Sequence, residues 1–228
     1  MREIVLDTET TGLDPEEGHR IVEIGAVELY NHVPTGRSFH RYINPERPMP
    51  PEALAVHGLD DAFLAEKPRF GEVVDEFLAF TGDARLVIHN ASFDMRFLNA
   101  ELRRTGRPAF ASDRVLDTLA MARTRFPGAP ASLDALCRRF GVDNGAREKH
   151  GALLDSELLA EVYLELIGGR QPDFGLSTAA ASGPAHGEGW RPRPRPQPLP
   201  PRLTPEEAEA HAALVASLGE AALWSRPG

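Results

Sequence analysis

The stretch I-V-L-D-T-E-T-T-G, from Ile4 to Gly12, restricts the fold more than any other part of the chain. Ile4, Val5 and Leu6 form the short apolar run of a buried strand. Asp7 and Glu9 follow at its end, two residues apart, and on an extended chain side chains at i and i+2 project to the same face. Two carboxylates held together at the edge of a core repel strongly unless something neutralises them. A divalent cation that prefers oxygen ligands, Mg²⁺ or Mn²⁺, neutralises both. A solvated acidic strand end is the alternative, and D-x-E alone does not decide between the two.

The remaining periodicities build outward from this strand. A loop over Leu13 to His19 leads to a second apolar stretch, Ile21 to Tyr30, and Ser38 to Ile43 alternates as a third strand, with Asn31 to Gly36 as the turn between them. Pro48, Pro50 and Pro51 break the sheet, and a helical region follows. Apolar residues at Phe70, Val73, Val74, Phe77 and Leu78 have a helical period over Phe70 to Phe80. Arg85 to His89 reads as a buried strand, with Ser92 as N-cap of a helix over Phe93 to Thr105. Val115 to Thr118 reads as a fifth strand, Ser132 caps a helix to Phe140, and a long amphipathic helix runs from Ala152 to Ile167 until Gly168 and Gly169 stop it. Three strands in an antiparallel meander, then strands alternating with helices, predict an α/β domain over residues 1–169.

Beyond it the composition shifts. Half of the chain's 20 prolines lie after Gly169, including R-P-R-P-R-P-Q-P-L-P-P. Residues 170–203 therefore read as a flexible, extended Pro-rich linker with too few apolar side chains to offset ordering. A sharp helix start ends it: Thr204 as N-cap, Pro205 at the first helical position and Glu207 completing a capping box. That helix, to Leu218 with Gly219 as its stop, is too short to be stable alone in water. Its Leu214, Val215 and Leu218 suit it to docking, so residues 204–228 read as a docking tail.

The net charge of −9 argues against a broad nonspecific nucleic-acid-binding face. One cysteine, Cys137, excludes an internal disulfide framework and fits a reducing cytoplasm; with Leu133, Leu136 and Phe140 at helical spacing, it reads as core. Neither a membrane span nor a signal peptide is expected.

Two further motifs join the opening pair. In H-N-A-S-F-D, Asp94 falls in the first turn after a strand, where a helix N-terminus favours an acid; capping alone also explains it. In H-G-A-L-L-D, His150 precedes the last domain helix and Asp155 lies one turn into it; taken singly they read as a surface histidine and a solvated acid. Together D-T-E-T-T-G, H-N-A-S-F-D and H-G-A-L-L-D resemble, in this order, the three motifs of the DEDDh 3′–5′ exonucleases. The resemblance implies a ribonuclease H-like fold, a mixed five-stranded sheet flanked by helices. It implies two divalent metal ions, Mg²⁺ or Mn²⁺, held by Asp7, Glu9, Asp94 and Asp155, with His150 as general base. Two such ions about 3.5–4 Å apart clamp the attacking and leaving oxygens of a phosphodiester, and histidine is suited to proton transfer at neutral pH.

The resemblance also implies that the backbone from Thr10 through Gly12 to Leu13 cups a terminal nucleotide. Val56, His57 and Phe93 would line that pocket, and Asn90 would meet sugar or phosphate. The plain alternative makes Val56 and Phe93 core residues. The segment L-T-P-E-E-A-E-A-H-A-A-L-V-A-S-L-G-E-A-A-L-W resembles the C-terminal stretch by which proofreading members bind a replicative polymerase, which implies docking through residues 204–224. Gln171, Phe174 and Leu176 of Q-P-D-F-G-L fall where such members carry a sliding-clamp motif. DNA with a frayed or single-stranded 3′ end is the implied substrate. An RNA-trimming exonuclease and a non-catalytic scaffold bridging polymerase and clamp are the rival readings.

Overall fold

The computed structural model describes residues 1–145, 150–168 and 203–218. Its central strand, β1 (Arg2–Thr10), is longer than the apolar run predicts, so Asp7 and Glu9 lie inside the strand and not after its end. β1 pairs antiparallel with β2 (Ile21–Tyr30) through Glu9, opposite Glu23, and the register shifts immediately beyond. β2 pairs antiparallel with β3 (Val33–Tyr42). On its other side β1 pairs parallel with β4 (Arg85–Ile88), which pairs parallel with β5 (Val115–Asp117). The result is a five-stranded mixed sheet in the order β3-β2-β1-β4-β5, as the resemblance implies.

The turn before β3 differs from expectation. It is only two residues, Asn31 and His32, both left-handed at φ 49° and 65°. Such a pair matches the twist of the strands it joins. The first residues of β3, Val33 to Ser38, are exposed at the sheet edge and have no buried face to impose alternation, which hid them from the pattern.

Two short helices, α1 (Pro51–His57) and α2 (Asp61–Ala65), follow the prolines, and α3 (Phe70–Thr81) buries the predicted Phe70, Val73, Val74 and Phe77. Helix α4 (Ala91–Arg104) starts before the predicted Phe93, and its cap is Asn90, not Ser92. Asn tolerates the left-handed conformation needed here, φ 63°, and the Asn90 N–H donates to Asp117 Oδ1 at 3.1 Å. Ser92 is exposed. Helix α5 (Thr118–Arg125), absent from the sequence reading, leaves β5 directly because Asp117 caps it, accepting from the Leu119 N–H at 2.8 Å. Then come α6 (Leu133–Phe140), capped by Ser132 as expected, and α7 (Ala152–Leu166).

Helices α3 and α4 cover one face of the sheet, packing Phe70, Phe77, Phe97 and Leu98 on Ile4, Leu6, Ile24 and Ile88. Helix α7 covers the other, setting Leu159 and Tyr163 on Val5, Leu29 and Val87. Behind it α5 and α6 pack Ala122, Leu136 and Cys137 against Leu158 and Val162, so Cys137 is core.

Among its described residues the tail carries one helix. Its helix α8 (Pro205–Leu218) has the predicted capping box: the Glu207 N–H donates to Thr204 Oγ1 at 3.2 Å, and the Thr204 N–H to Glu207 Oε2 at 2.9 Å. Leu214 and Leu218 are exposed. Gln171, Phe174, Leu176, nearly all of the linker over 170–203, and the stop at Gly219 lie outside the described residues. Among the described residues, no helix is long and apolar enough to cross a membrane.

Candidate active site

Helix α7 is seated on the sheet by a missing side chain. Gly25 of β2 lies opposite Asp7. A Cβ there would fall 2.1 Å from the Leu153 amide nitrogen and 2.2 Å from the Ala152 carbonyl carbon. The first turn of α7 therefore rests directly on the strand backbone. Ser156 pins it, its buried hydroxyl lying 2.8 Å from both the Gly25 and the Ala152 carbonyl oxygens. Asp155 is the preceding residue. It is buried in the first turn of α7, where the helix dipole favours a carboxylate.

This seating gathers three of the sequence-predicted residues. Ligand atoms of Glu9, His150 and Asp155 all lie within 4.8 Å of one another. His150 Nδ1 is 3.3 Å from Asp155 Oδ2, and the imidazole is half exposed while the carboxylate is buried. The His150 backbone N–H donates to the Val56 carbonyl at 3.3 Å, joining α7's approach to the end of α1. Asp7 occupies the same face of β1 as Glu9, two residues earlier. Carboxylate oxygens beside an imidazole are a donor set that fits a divalent cation of the Mg²⁺ or Mn²⁺ kind.

Asp94 is not part of that group of three. It reaches β1 from α4, on the other layer, and Thr8 Oγ1 donates to its Oδ1 at 2.7 Å. Burial pushes the Asp94 carboxyl up to about 7; the Thr8 hydrogen bond opposes this, and the Asp117 charge adds to it.

The implied pocket residues occupy different environments. Thr10 is buried and donates through Oγ1 to the Gly12 carbonyl at 2.7 Å. Leu13 is 77% exposed and Val56 47%, so Val56 is not core. His57 is buried, its Nδ1 accepting from the Leu59 N–H at 3.1 Å. Phe93 is half buried against Phe97, ring centres 5.1 Å apart, and Asn90 is exposed.

Three features escaped the sequence reading. Glu23, directly across from Glu9, is buried, with His40 Nε2 2.7 Å from its Oε1. Its signal was an acid inside the apolar run I-V-E-I-G-A-V. Asp117 serves both α5 and the cap of α4. Arg20 grips the buried Glu101 of α4, a pairing across 81 residues that no local pattern reveals.

The chain matches the family model described as Exonuclease (RNase_T) over residues 4–163. It is 57% identical over 184 residues to the DNA polymerase III subunit epsilon of Rickettsia conorii, covering 79% of this chain and 80% of the relative. It is 46% identical over 236 residues to the same subunit of Escherichia coli, covering 98% of this chain and 97% of the relative. Among solved structures it resembles exonuclease X in complex with 5′-overhanging duplex DNA, at 26% identity and TM-score 0.57 over 72% of this chain and 90% of that one. The nuclease domain of 3′hExo, a DEDDh family member bound to rAMP, shares the fold at 19% identity and TM-score 0.63, over 73% of this chain and 91% of that one.

Proposed function

The chain belongs to the RNase_T exonuclease family, and from that premise we propose that it is a proofreading 3′–5′ DNA exonuclease serving a replicative polymerase. The observation that carries the reading is the buried pair Glu9 and Asp155 gathered with the half-exposed His150 at the end of the central strand. The likeness to the Escherichia coli epsilon subunit along nearly the full chain supports the replicative setting.

In this reading Asp7, Glu9, Asp94 and Asp155 hold two divalent cations. When bound, these would supply charge stabilisation at the phosphoryl group and a more acidic water. His150 takes the proton of the attacking water on its imidazole, and the Asp155 carboxylate beside it orients the ring and stabilises the imidazolium. The new bond joins the water oxygen to phosphorus. The bond that breaks joins phosphorus to the 3′ oxygen of the penultimate nucleotide, which leaves with a proton from solvent as a 3′-hydroxyl. The product is a nucleoside 5′-monophosphate. Thr10, Gly12 and Leu13 cup the terminal nucleotide through their backbone, with Val56, His57 and Phe93 around the base and Asn90 toward sugar or phosphate. The exposed apolar side chains of Leu13 and Val56 support that role.

Selectivity needs no base-specific contact, because a mispaired terminus costs less to unpair than a matched one. Residues 204–224 dock on the polymerase subunit, a role supported by the exposed Leu214 and Leu218 of α8. Gln171, Phe174 and Leu176 engage a sliding clamp, and the working compartment is the cytoplasm. RNA trimming is the competing reading. A comparison of DNA and RNA oligonucleotides, each with a 3′ mismatch, tests the proposal: preferred release of nucleotides from the DNA supports it, and preference for RNA contradicts it.

A further inference from the structure

The loop between β1 and β2 is closed at its base. The Thr11 N–H donates to the Arg20 carbonyl at 2.9 Å, and the Arg20 N–H donates to Thr11 Oγ1 at 3.0 Å. From that base the Arg20 guanidinium crosses to α4 and holds Glu101 with two arms, Nε to Oε1 at 2.6 Å and Nη2 to Oε2 at 2.9 Å. The Glu101 side chain is only 1% exposed. Hydrogen bonding to Glu101 raises the Arg20 pKa even against the cost of burial.

Other arginines of α4 secure the rest of the loop. Arg96 donates to the Leu13 carbonyl at 3.3 Å, Arg104 to the Pro15 carbonyl at 3.0 Å, and Arg103 to Glu16 at 3.3 Å. Inside the loop, Gly12 lies so close to His19 that a Cβ would be 2.3 Å from the imidazole. The same helix carries Phe93 in its first turn. A buried ion pair adds little net stability compared with apolar packing, whereas a two-armed guanidinium–carboxylate contact fixes geometry well.

Resting on the exonuclease reading above, we infer that Arg20 and Glu101 are positioning residues for capture of the 3′-terminal nucleotide. They lock the backbone of Gly12 and Leu13 to α4, so that loop and Phe93 form one fixed pocket. Their contacts run to the loop, to α4 and, from Arg20 Nη1 at 3.8 Å, to Glu46, so the pair acts on substrate binding and leaves cation binding and the chemical step alone.

The test compares Glu101→Gln and Arg20→Lys with the wild type, in the full chain. KM and kcat are measured on a single-stranded DNA oligonucleotide with Mg²⁺, and Mn²⁺ affinity by calorimetry. Both variants should raise KM by about tenfold or more, with kcat and Mn²⁺ affinity within about twofold, the signature of lost ground-state and transition-state binding alike. Arg20→Lys keeps the charge and removes only the fork, so it carries the comparison if Glu101→Gln does not fold. A lowered melting temperature with unchanged KM would mean a merely structural pair and overturn the inference, as would a loss of Mn²⁺ affinity. A wild type that hydrolyses the oligonucleotide while both variants keep its KM overturns this inference and leaves the exonuclease reading standing. A wild type that releases no nucleotide overturns both.

Discussion

Substituting Gly25 by alanine perturbs the site without touching any acid. The added Cβ would sit 2.1 Å from the Leu153 nitrogen and 2.3 Å from the Ala152 carbonyl oxygen, and ordinary contact begins at 3.4 Å. The difference, 3.4 − 2.1 Å, requires strand and helix to part by about 1 Å. Both nearest groups are backbone, so no rotamer change relieves the clash. Overpacking of this kind costs about 1–3 kcal/mol, or a melting temperature lower by roughly 2–12 °C for a chain of this size. The functional loss should be larger. Asp155 travels with the helix, Asp7 and Glu9 stay with the sheet, and coordination distances tolerate only about 0.2 Å. A misplacement of about 1 Å at a reacting centre costs on the order of 10²-fold in rate. Exonuclease assays with Mg²⁺, thermal melts and Mn²⁺ calorimetry on Gly25→Ala should show a folded protein, weakened Mn²⁺ binding and at least that loss. Wild-type activity and Mn²⁺ affinity in Gly25→Ala would refute the claim that close seating of α7 assembles the site.

His150→Ala should lower kcat by about 10²–10⁴-fold, the range for a general base, while Mn²⁺ calorimetry still detects binding; an undiminished rate would remove His150 from the proton transfer. Asp94 has a carboxyl raised by burial to about 7 from 3.8, so in the metal-free protein its contribution to stability is full below about pH 4 and is lost as pH rises through about 7. Melting in EDTA should therefore fall between pH 5 and pH 8 more steeply for the wild type than for Asp94→Asn, whose amide oxygen still accepts from Thr8; equal slopes would contradict the assignment. Leu214→Asp combined with Leu218→Asp should abolish co-elution with the polymerase subunit on a sizing column and leave hydrolysis of single strands unchanged; retained co-elution would show that α8 is not the docking element.

Features with a strong local cause were legible in the sequence. The five strands, the exposed first half of β3 apart, the helix over Phe70 to Phe80, the Ser132 cap and the Thr204–Glu207 capping box all follow from periodicity or from side chains that satisfy nearby amides. The acids Asp7 and Glu9 were visible for the same reason, being two residues apart on one strand. What was missed depends on tertiary partners. Asn90, not Ser92, is the cap, and its amide hydrogen goes to Asp117 at the end of β5, a partner remote in sequence. Glu23 reads as an intruder in an apolar run until β3 supplies His40. Gly25 looks like one more small residue in a strand, and its meaning appears only when the α7 backbone arrives above it.

If Asp7, Glu9, Asp94 and Asp155 assemble the site proposed above, the last phosphodiester of a frayed DNA 3′ end is cut only when all four acids are present. Release of nucleoside 5′-monophosphate from a primer–template with a single 3′-terminal mismatch, followed against the matched duplex with Mg²⁺, tests it most directly when wild type and Asp7→Ala are run side by side. The wild type should release nucleotide faster from the mismatch, and Asp7→Ala should release none, although the variant folds. Wild-type rates in Asp7→Ala, or equal wild-type rates on matched and mismatched ends, would contradict it.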